Sequence, residues 1–210
     1  MAEVPTVRTG EERDLALLEH RRPLIWGAGL LGLFALVCWV LAKTTTLFPG
    51  PSGLDFFGTR ADLPAAVRYL LDAERALAHP VVAASATIGI AAFCARRVSA
   101  KMCLAALVAP FVVVVASGAK DALGPPTALP SGHAAYAIAV FGIASWLCWR
   151  AGRWSGAAVL ALVALSMGPA RVIQGAHYAI DVIAGAALGL AWLITLLVWG
   201  TPRHSGHVPR

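Results

Sequence analysis

The sequence predicts an all-α, polytopic membrane protein with six transmembrane helices and a short extracytoplasmic amphipathic helix between the first two. Two features of the composition support this fold class: 59% of the 210 residues are hydrophobic, and only 13% are charged. The third is the distribution of charge, because long blocks of the chain contain no Asp, Glu, Lys or Arg. These blocks are residues 24–42, 80–95, 102–119, 134–149, 154–170 and 182–202.

Each uncharged block is about as long as a membrane-spanning helix or a few residues shorter. A bilayer core takes about 20 apolar residues at helical rise, and thinning of the bilayer or snorkelling of flanking side chains accommodates shorter spans. Five spans follow instead if residues 80–95 only dip into the membrane. We therefore expect one membrane domain over residues 24–202, with tails at residues 1–23 and 203–210.

Basic residues predict the orientation of the spans. Eleven of the seventeen Lys and Arg residues fall on one side: Arg8, Arg13, Arg21, Arg22, Arg96, Arg97, Lys101, Arg150, Arg153, Arg203 and Arg210. The positive-inside rule makes this side cytoplasmic, so we expect a multi-pass protein of the cell membrane with both termini in the cytoplasm. Because these basic residues act as topology signals, the net charge of +6 does not indicate nucleic-acid binding.

The loop between the first two spans contains the predicted amphipathic helix. Apolar residues recur there at roughly helical spacing, with charges on the opposite face: Leu63, Val67, Leu70, Leu71 and Leu77. Asp62 is a plausible N-cap, and Pro64 falls in the first turn. The segment is either a lid or lipid-entry element on the outer membrane surface or a loop packed over the bundle, and the pattern favours neither.

Ionisable residues are rare at membrane depth, and each one is a candidate functional residue. Here they collect at the outer ends of the third to sixth spans: Lys120, Asp121, His133, Arg171, His177 and Asp181. We expect Asp121, like Gln174, to be a solvated loop residue. The four cysteines lack metal-ligand spacing, so we expect no metal and no other cofactor.

His177 and Asp181 lie four residues apart, which places them on one helix face. A carboxylate in this position can fix the imidazole tautomer and orient a base or nucleophile, although a buried structural hydrogen bond has the same spacing. Arg171 would face elsewhere on a continuous helix. Pro169 and Gly175 therefore predict a break that turns Arg171 back toward the histidine.

The segment PSGH at residues 130–133 has the composition of a helix start. Ser131 is a good N-cap, and the free amides that follow lie at the positive end of the helix dipole, where anions bind. Gly132 allows the backbone to approach closely, and His133 supplies a proton donor. Lys120 and Arg171 would add positive charge. Together these residues predict an oxyanion site for phosphoryl transfer.

PSGH, preceded by Lys120 and followed by ARVIQGAHYAID at residues 170–181, resembles the three-part motif of the type-2 phosphatidic acid phosphatase superfamily, of the bacterial integral-membrane type. These proteins are lipid phosphate phosphatases related in fold to vanadium haloperoxidases. The resemblance covers about residues 115–190, and Ala170 stands where the family usually has serine. The first motif departs further: Thr127 occupies the place of the family's arginine, and it can donate a hydrogen bond but carries no charge.

The resemblance implies a role for each candidate residue. His177 attacks phosphorus to form a phosphohistidine, Asp181 holds its ring, and His133 protonates the leaving group and then activates water. The remaining candidates are expected to bind the phosphate oxygens: Lys120, Thr127, Ser131, the amide of Gly132, and Arg171.

We therefore expect a lipid phosphate or diphosphate phosphatase acting at the outer leaflet. Its substrate class would be a polyprenyl diphosphate, phosphatidic acid or phosphatidylglycerol phosphate. Two alternatives stay open: a lipid phosphotransferase using the same intermediate, and a non-catalytic lipid-phosphate binder or transporter, for which Thr127 is the evidence. The expected partners are membrane lipids and the lipid substrate. Small residues at 184–189 permit helix association without requiring it.

Overall fold

The structure, a computed structural model, describes residues 63–77, 79–123 and 129–201, together with scattered helical positions between residues 25 and 36. The tails, most of the predicted first span and residues 43–62 lie outside the described residues. Seven α-helices are named here: α1 (Ala65–Leu77), α2 (Pro80–Arg97), α3 (Ala100–Val108), α4 (Val112–Leu123), α5 (Gly132–Arg150), α6 (Trp154–Ile173) and α7 (Ala179–Gly200). A 3-10 turn at Ala109–Phe111 joins α3 to α4.

The described part of the chain is helical without strands, which confirms the predicted all-α class. Four helical stretches are long and apolar enough to cross a membrane: Ala100–Ala119, Gly132–Arg150, Trp154–Ile173 and Ala179–Gly200. The predicted second span forms α2, but it meets this criterion only together with α1, from which it is bent by 65°. Six spans therefore remain a prediction, while four long apolar helices fit a multi-pass membrane protein.

Helix α5 is the centre of the bundle, with α4, α6 and α7 packed around it. Nearly every side chain from Ala134 to Phe141 is buried, and the helix has no polar face. The outer helices instead expose large apolar side chains, such as Val159, Leu162 and Leu165 of α6, which are 59%, 66% and 63% exposed. A hydrophobic helix surrounded by helices with apolar outer faces is the arrangement expected in lipid.

The antiparallel order brings one group of helix termini together. The C-terminal ends of α4 and α6 lie at the same end of the bundle as the N-terminal ends of α5 and α7. We call this group, at residues 120–123, 171–175, 129–133 and 177–181, the site end. Every candidate residue predicted from the sequence belongs to it, apart from Thr127, which lies outside the described residues.

Two glycines of α7 allow it to pack directly on the backbone of α5. A Cβ atom at Gly185 would lie 3.0 Å from the Ser131 nitrogen and closer still to the Ser131 carbonyl oxygen. A Cβ atom at Gly189 would lie 2.8 Å from the Cα atom of Ala135. Because the obstacles are backbone atoms, no side-chain movement could relieve these overlaps. Contact between small residues is a common way for membrane helices to associate.

We expect Gly185→Ala to destabilise the fold by about 1–3 kcal/mol, the usual cost of overpacking a core. The added methyl group must push α7 away from Ser131. Thermal unfolding in detergent measures the loss of stability. Gly89→Ala in α2 is the matched control, because a Cβ atom there meets nothing within 4 Å. Equal melting temperatures for the two variants would contradict this packing.

Candidate active site

Ser131 caps α5 and ties it to α7. Its Oγ accepts a hydrogen bond from the Ala134 amide at 3.5 Å, and its own amide donates to the Asp181 carbonyl oxygen at 2.9 Å. The predicted helix start at this residue is therefore observed. The Ser131 side chain is fully buried and serves as the cap, so its predicted contact with phosphate stays a prediction.

Gly132 is the first residue of α5, and His133 follows in the first turn. A Cβ atom at Gly132 would make ordinary contacts, at 3.6 Å from Val113 and 3.9 Å from Ala116. The surrounding protein therefore does not require glycine here. Close approach of a ligand to the backbone at Gly132 stays a prediction.

Arg171 lies in the last turn of α6 and contacts His133. Its Nη2 donates a hydrogen bond to Nε2 of His133, and its Nη1 donates to Oε1 of Gln174 at 2.8 Å. Nε of Arg171 is buried and has no hydrogen-bond partner among the described residues. Because a guanidinium group can only donate, Nε2 of His133 must accept, and a neutral His133 ring then carries its proton on Nδ1.

The chain break predicted before His177 lies at Gly175. Helix α6 continues through Pro169, which occupies the helix interior, and ends at Ile173. Gly175 has a φ of 70°, and its amide donates to the carbonyl oxygen of Val172, while the Ala176 amide donates to that of Arg171. This is a Schellman motif, in which glycine adopts the left-handed conformation. Arg171 is therefore helical, and the histidine to which it donates a hydrogen bond is His133 of α5.

His177 and Asp181 form the predicted pair at the N-terminal end of α7. Nδ1 of His177 lies 3.3 Å from Oδ2 of Asp181, and the two side chains are 9% and 3% exposed. The same carboxylate oxygen accepts from the Tyr178 amide at 2.9 Å, which caps α7. A neutral ring that donates from Nδ1 leaves the Nε2 lone pair free.

Two residues with polar contacts to this group were not predicted as site residues. Gln174, expected to be a solvated loop residue, bonds to Arg171 and donates from Nε2 to Oε2 of Glu74 at 3.0 Å. Glu74 of α1 is only 5% exposed, although the pattern placed the charges of this segment on the face opposite its leucines. The spacing did contain a signal, because Glu74 follows Val67 by seven residues and Leu71 by three, which puts it on their face.

The remaining predicted ligands are not defined by the structure. Lys120 is in the last turn of α4, but its side chain is not among those described, and Thr127 lies outside the described residues. In the described parts of the chain, no group of three or more His, Cys, Asp or Glu side chains could hold a metal ion. A cavity of about 790 Å³ lies at the opposite end of the bundle, beside Arg97, Arg150 and Arg153, and is not part of this site.

Comparison with known proteins identifies the family. Residues 82–205 match the model of the PAP2 superfamily, a segment that contains every candidate residue except Glu74. Comparisons with curated proteins and with solved structures found no match. Members of this superfamily are generally phosphatases that act on phosphate esters. Because the matched segment is more than half of the chain, the protein belongs to the type-2 phosphatidic acid phosphatase (PAP2) superfamily.

Proposed function

We propose that the protein hydrolyses a lipid phosphate or diphosphate at the outer leaflet through a phosphohistidine on His177. The observation that carries this proposal is that two side-chain pairs lie at the site end, where the Ser131 amide of one helix start donates to the Asp181 carbonyl oxygen of the other. One pair is His177 with Asp181, and the other is Arg171 with His133. The first pair has the form of an oriented nucleophile, and the second combines a phosphate ligand with a proton carrier.

His177 is the nucleophile in this mechanism. The Asp181 carboxylate accepts a hydrogen bond from Nδ1–H of His177, so the lone pair of Nε2 is available to attack phosphorus. A P–N bond forms as the bond between phosphorus and the leaving oxygen breaks; this oxygen belongs to the lipid alcohol in a phosphomonoester and is the bridging oxygen in a diphosphate. Asp181 stabilises the positive charge that develops on the ring, and its own position is fixed by the Tyr178 amide.

Arg171 binds the phosphate oxygens. Its buried Nε lacks a partner among the described residues, and an unsatisfied buried donor costs about 1–3 kcal/mol. A phosphate oxygen would satisfy this donor. The planar guanidinium group can also grip two oxygens at once, which stabilises the charge that builds up during transfer. The amides at the start of α5 and the side chains of Lys120 and Thr127 would bind the other oxygens.

His133 is the general acid and then the general base. The leaving oxygen takes a proton from His133, and the ring later accepts a proton from the water that attacks the phosphohistidine. That second step releases inorganic phosphate and restores free His177. Because Nε2 of His133 accepts from Arg171, either Nδ1 must serve as the donor or phosphate must displace this contact.

The surroundings of the site favour a lipid substrate. The candidate residues that the structure describes lie at the ends of apolar helices, and in a membrane such ends would meet the lipid headgroups. Ile183, two residues after Asp181, is 48% exposed and offers apolar surface directly beside the site. The distribution of basic residues puts this end of the bundle outside the cytoplasm.

Phosphate release from a lipid panel tests the proposed function. Purified protein in detergent with a chelator would receive undecaprenyl diphosphate, phosphatidic acid and phosphatidylglycerol phosphate, each with and without an acceptor alcohol. We expect free phosphate from at least one lipid without an acceptor. Turnover only with an acceptor would identify a phosphotransferase. Lipid binding without turnover, by a protein with a cooperative thermal unfolding transition, would contradict catalysis and favour a binder or transporter.

A further inference from the structure

Helix α1 is docked on the helix that carries Arg171. Leu63 and Leu71 are buried against Ala170, with Val67 and Ile173 partly buried at the same contact. Ala170 immediately precedes Arg171, and Ile173 ends α6. Helix α1 therefore packs on the turn of α6 that presents the phosphate-binding arginine.

Across this contact, hydrogen bonds run from α1 to Arg171. Oε2 of Glu74 accepts from Nε2 of Gln174 at 3.0 Å, and Oε1 of Gln174 accepts from Nη1 of Arg171 at 2.8 Å. Nε2 of Gln174 also lies 3.5 Å from the Leu71 carbonyl oxygen. The Gln174 amide thus turns its oxygen to the cation and its NH2 group to the carboxylate, which is the favourable orientation of its dipole.

A carboxylate is a costly way to dock a helix. Burying a charge is unfavourable, and an apolar side chain would suit an apolar contact better. Oε1 of Glu74 is buried and has no hydrogen-bond partner within the described residues, so the contact does not fully satisfy the carboxylate. The carboxylate does fix the orientation of Gln174. In the reversed orientation the amide oxygen would face the Glu74 carboxylate and the NH2 group would face the Arg171 guanidinium, and neither contact could form a hydrogen bond.

We infer that Glu74 is a positioning residue, which acts through Gln174 to hold Nη1 of Arg171. This leaves Nε of Arg171 to face phosphate and Nη2 to face His133. Docking of α1 thereby becomes a condition for a correctly aimed phosphate ligand. This inference rests on the proposed function of Arg171 as a phosphate ligand. Helix α1 would thus contribute to catalysis as well as cover the bundle.

A double-mutant cycle tests the inference. We expect Glu74→Ala to lower kcat/KM by about 10- to 100-fold, as small misplacements of catalytic groups do, and to raise the inhibition constant of inorganic phosphate. Glu74→Gln should recover part of the loss, because it keeps an acceptor oxygen for Gln174. In an Arg171→Ala background, Glu74→Ala should change kcat/KM by less than about 2-fold, since the group it positions is gone. Asp72→Ala, an exposed carboxylate of the same helix, is the matched control and should leave activity unchanged.

If Glu74→Ala lowered kcat/KM by the same factor in both backgrounds, the inference would be overturned. Glu74 would then have a role in docking alone. Thermal unfolding of each variant shows whether the fold itself is weakened. If wild-type protein releases no phosphate from any lipid, the proposed function fails separately. Titration with inorganic phosphate by calorimetry then decides: weaker binding by Glu74→Ala supports the inference, whereas unchanged binding, or no binding by wild type, overturns it.

Discussion

Replacing His177 with alanine is expected to lower the rate of phosphate release by more than about 1,000-fold, because the variant has no atom to form the covalent intermediate. The Nε2 lone pair is available only while Nδ1 donates to Asp181, at 3.3 Å. Water could still attack the bound phosphate directly, assisted by Arg171 and His133, so a small residual rate should remain. Initial rates on the preferred lipid measure the effect, with binding of inorganic phosphate as a check that the site is intact.

A histidine outside the candidate site provides the control for this variant. His79 is exposed and caps α2, accepting from the Val81 amide at 3.3 Å. His79→Ala should cost some stability, about 1 kcal/mol for a lost cap, and leave turnover within about 2-fold. A His177→Ala protein that hydrolyses the lipid as fast as His79→Ala would exclude His177 as the nucleophile.

Replacing Arg171 with alanine is expected to lower kcat/KM by about 100- to 1,000-fold, the usual loss for one donor to a developing charge. Arg171→Lys should recover only part of the activity, because an ammonium group cannot bind two oxygens in the same fork and cannot reproduce the bond to Gln174 while facing phosphate. Both variants should weaken inhibition by inorganic phosphate. These constants come from initial rates at varied lipid and phosphate concentrations.

Arg68→Ala controls for the simple loss of a positive charge, because Arg68 is an exposed residue of α1. We expect it to behave as wild type at moderate salt, where exposed charges are screened. If Arg171→Ala and Arg68→Ala had the same inhibition constant for phosphate, Arg171 could not be the phosphate ligand. Full activity of Arg171→Lys would mean that charge alone, without the planar fork, is sufficient.

Local patterns predicted the parts of the site that short stretches of chain determine. Ser131 caps α5 where the helix-start residues indicated, and the spacing of His177 and Asp181 did produce a side-chain pair. The chain break before His177 was also predicted, but Gly175 forms it without a contribution from Pro169. Pro169 stays inside α6, since a proline interrupts only one hydrogen bond and neighbouring helices can hold a membrane helix together around it.

Contacts between distant segments could not be predicted in this way. The hydrogen bond from Arg171 to His133 joins residues 38 positions apart, and Glu74 meets Gln174 across 100 positions. In each pair, the sequence around one residue does not indicate which residue it will contact. The sequence pattern predicted charges on the face of α1 opposite its leucines, whereas Glu74 is buried. Charged side chains are usually exposed, so this burial could not be predicted from residue type.

Trapping the phosphoenzyme tests the central claim most directly. The protein would be mixed with its preferred lipid carrying labelled phosphate, quenched in alkali within one turnover, and digested for mass spectrometry. We expect phosphate that is stable to alkali, labile to acid and located on the peptide containing His177. Phosphate on a different residue, or turnover at the wild-type rate by a protein that never becomes labelled, would contradict it.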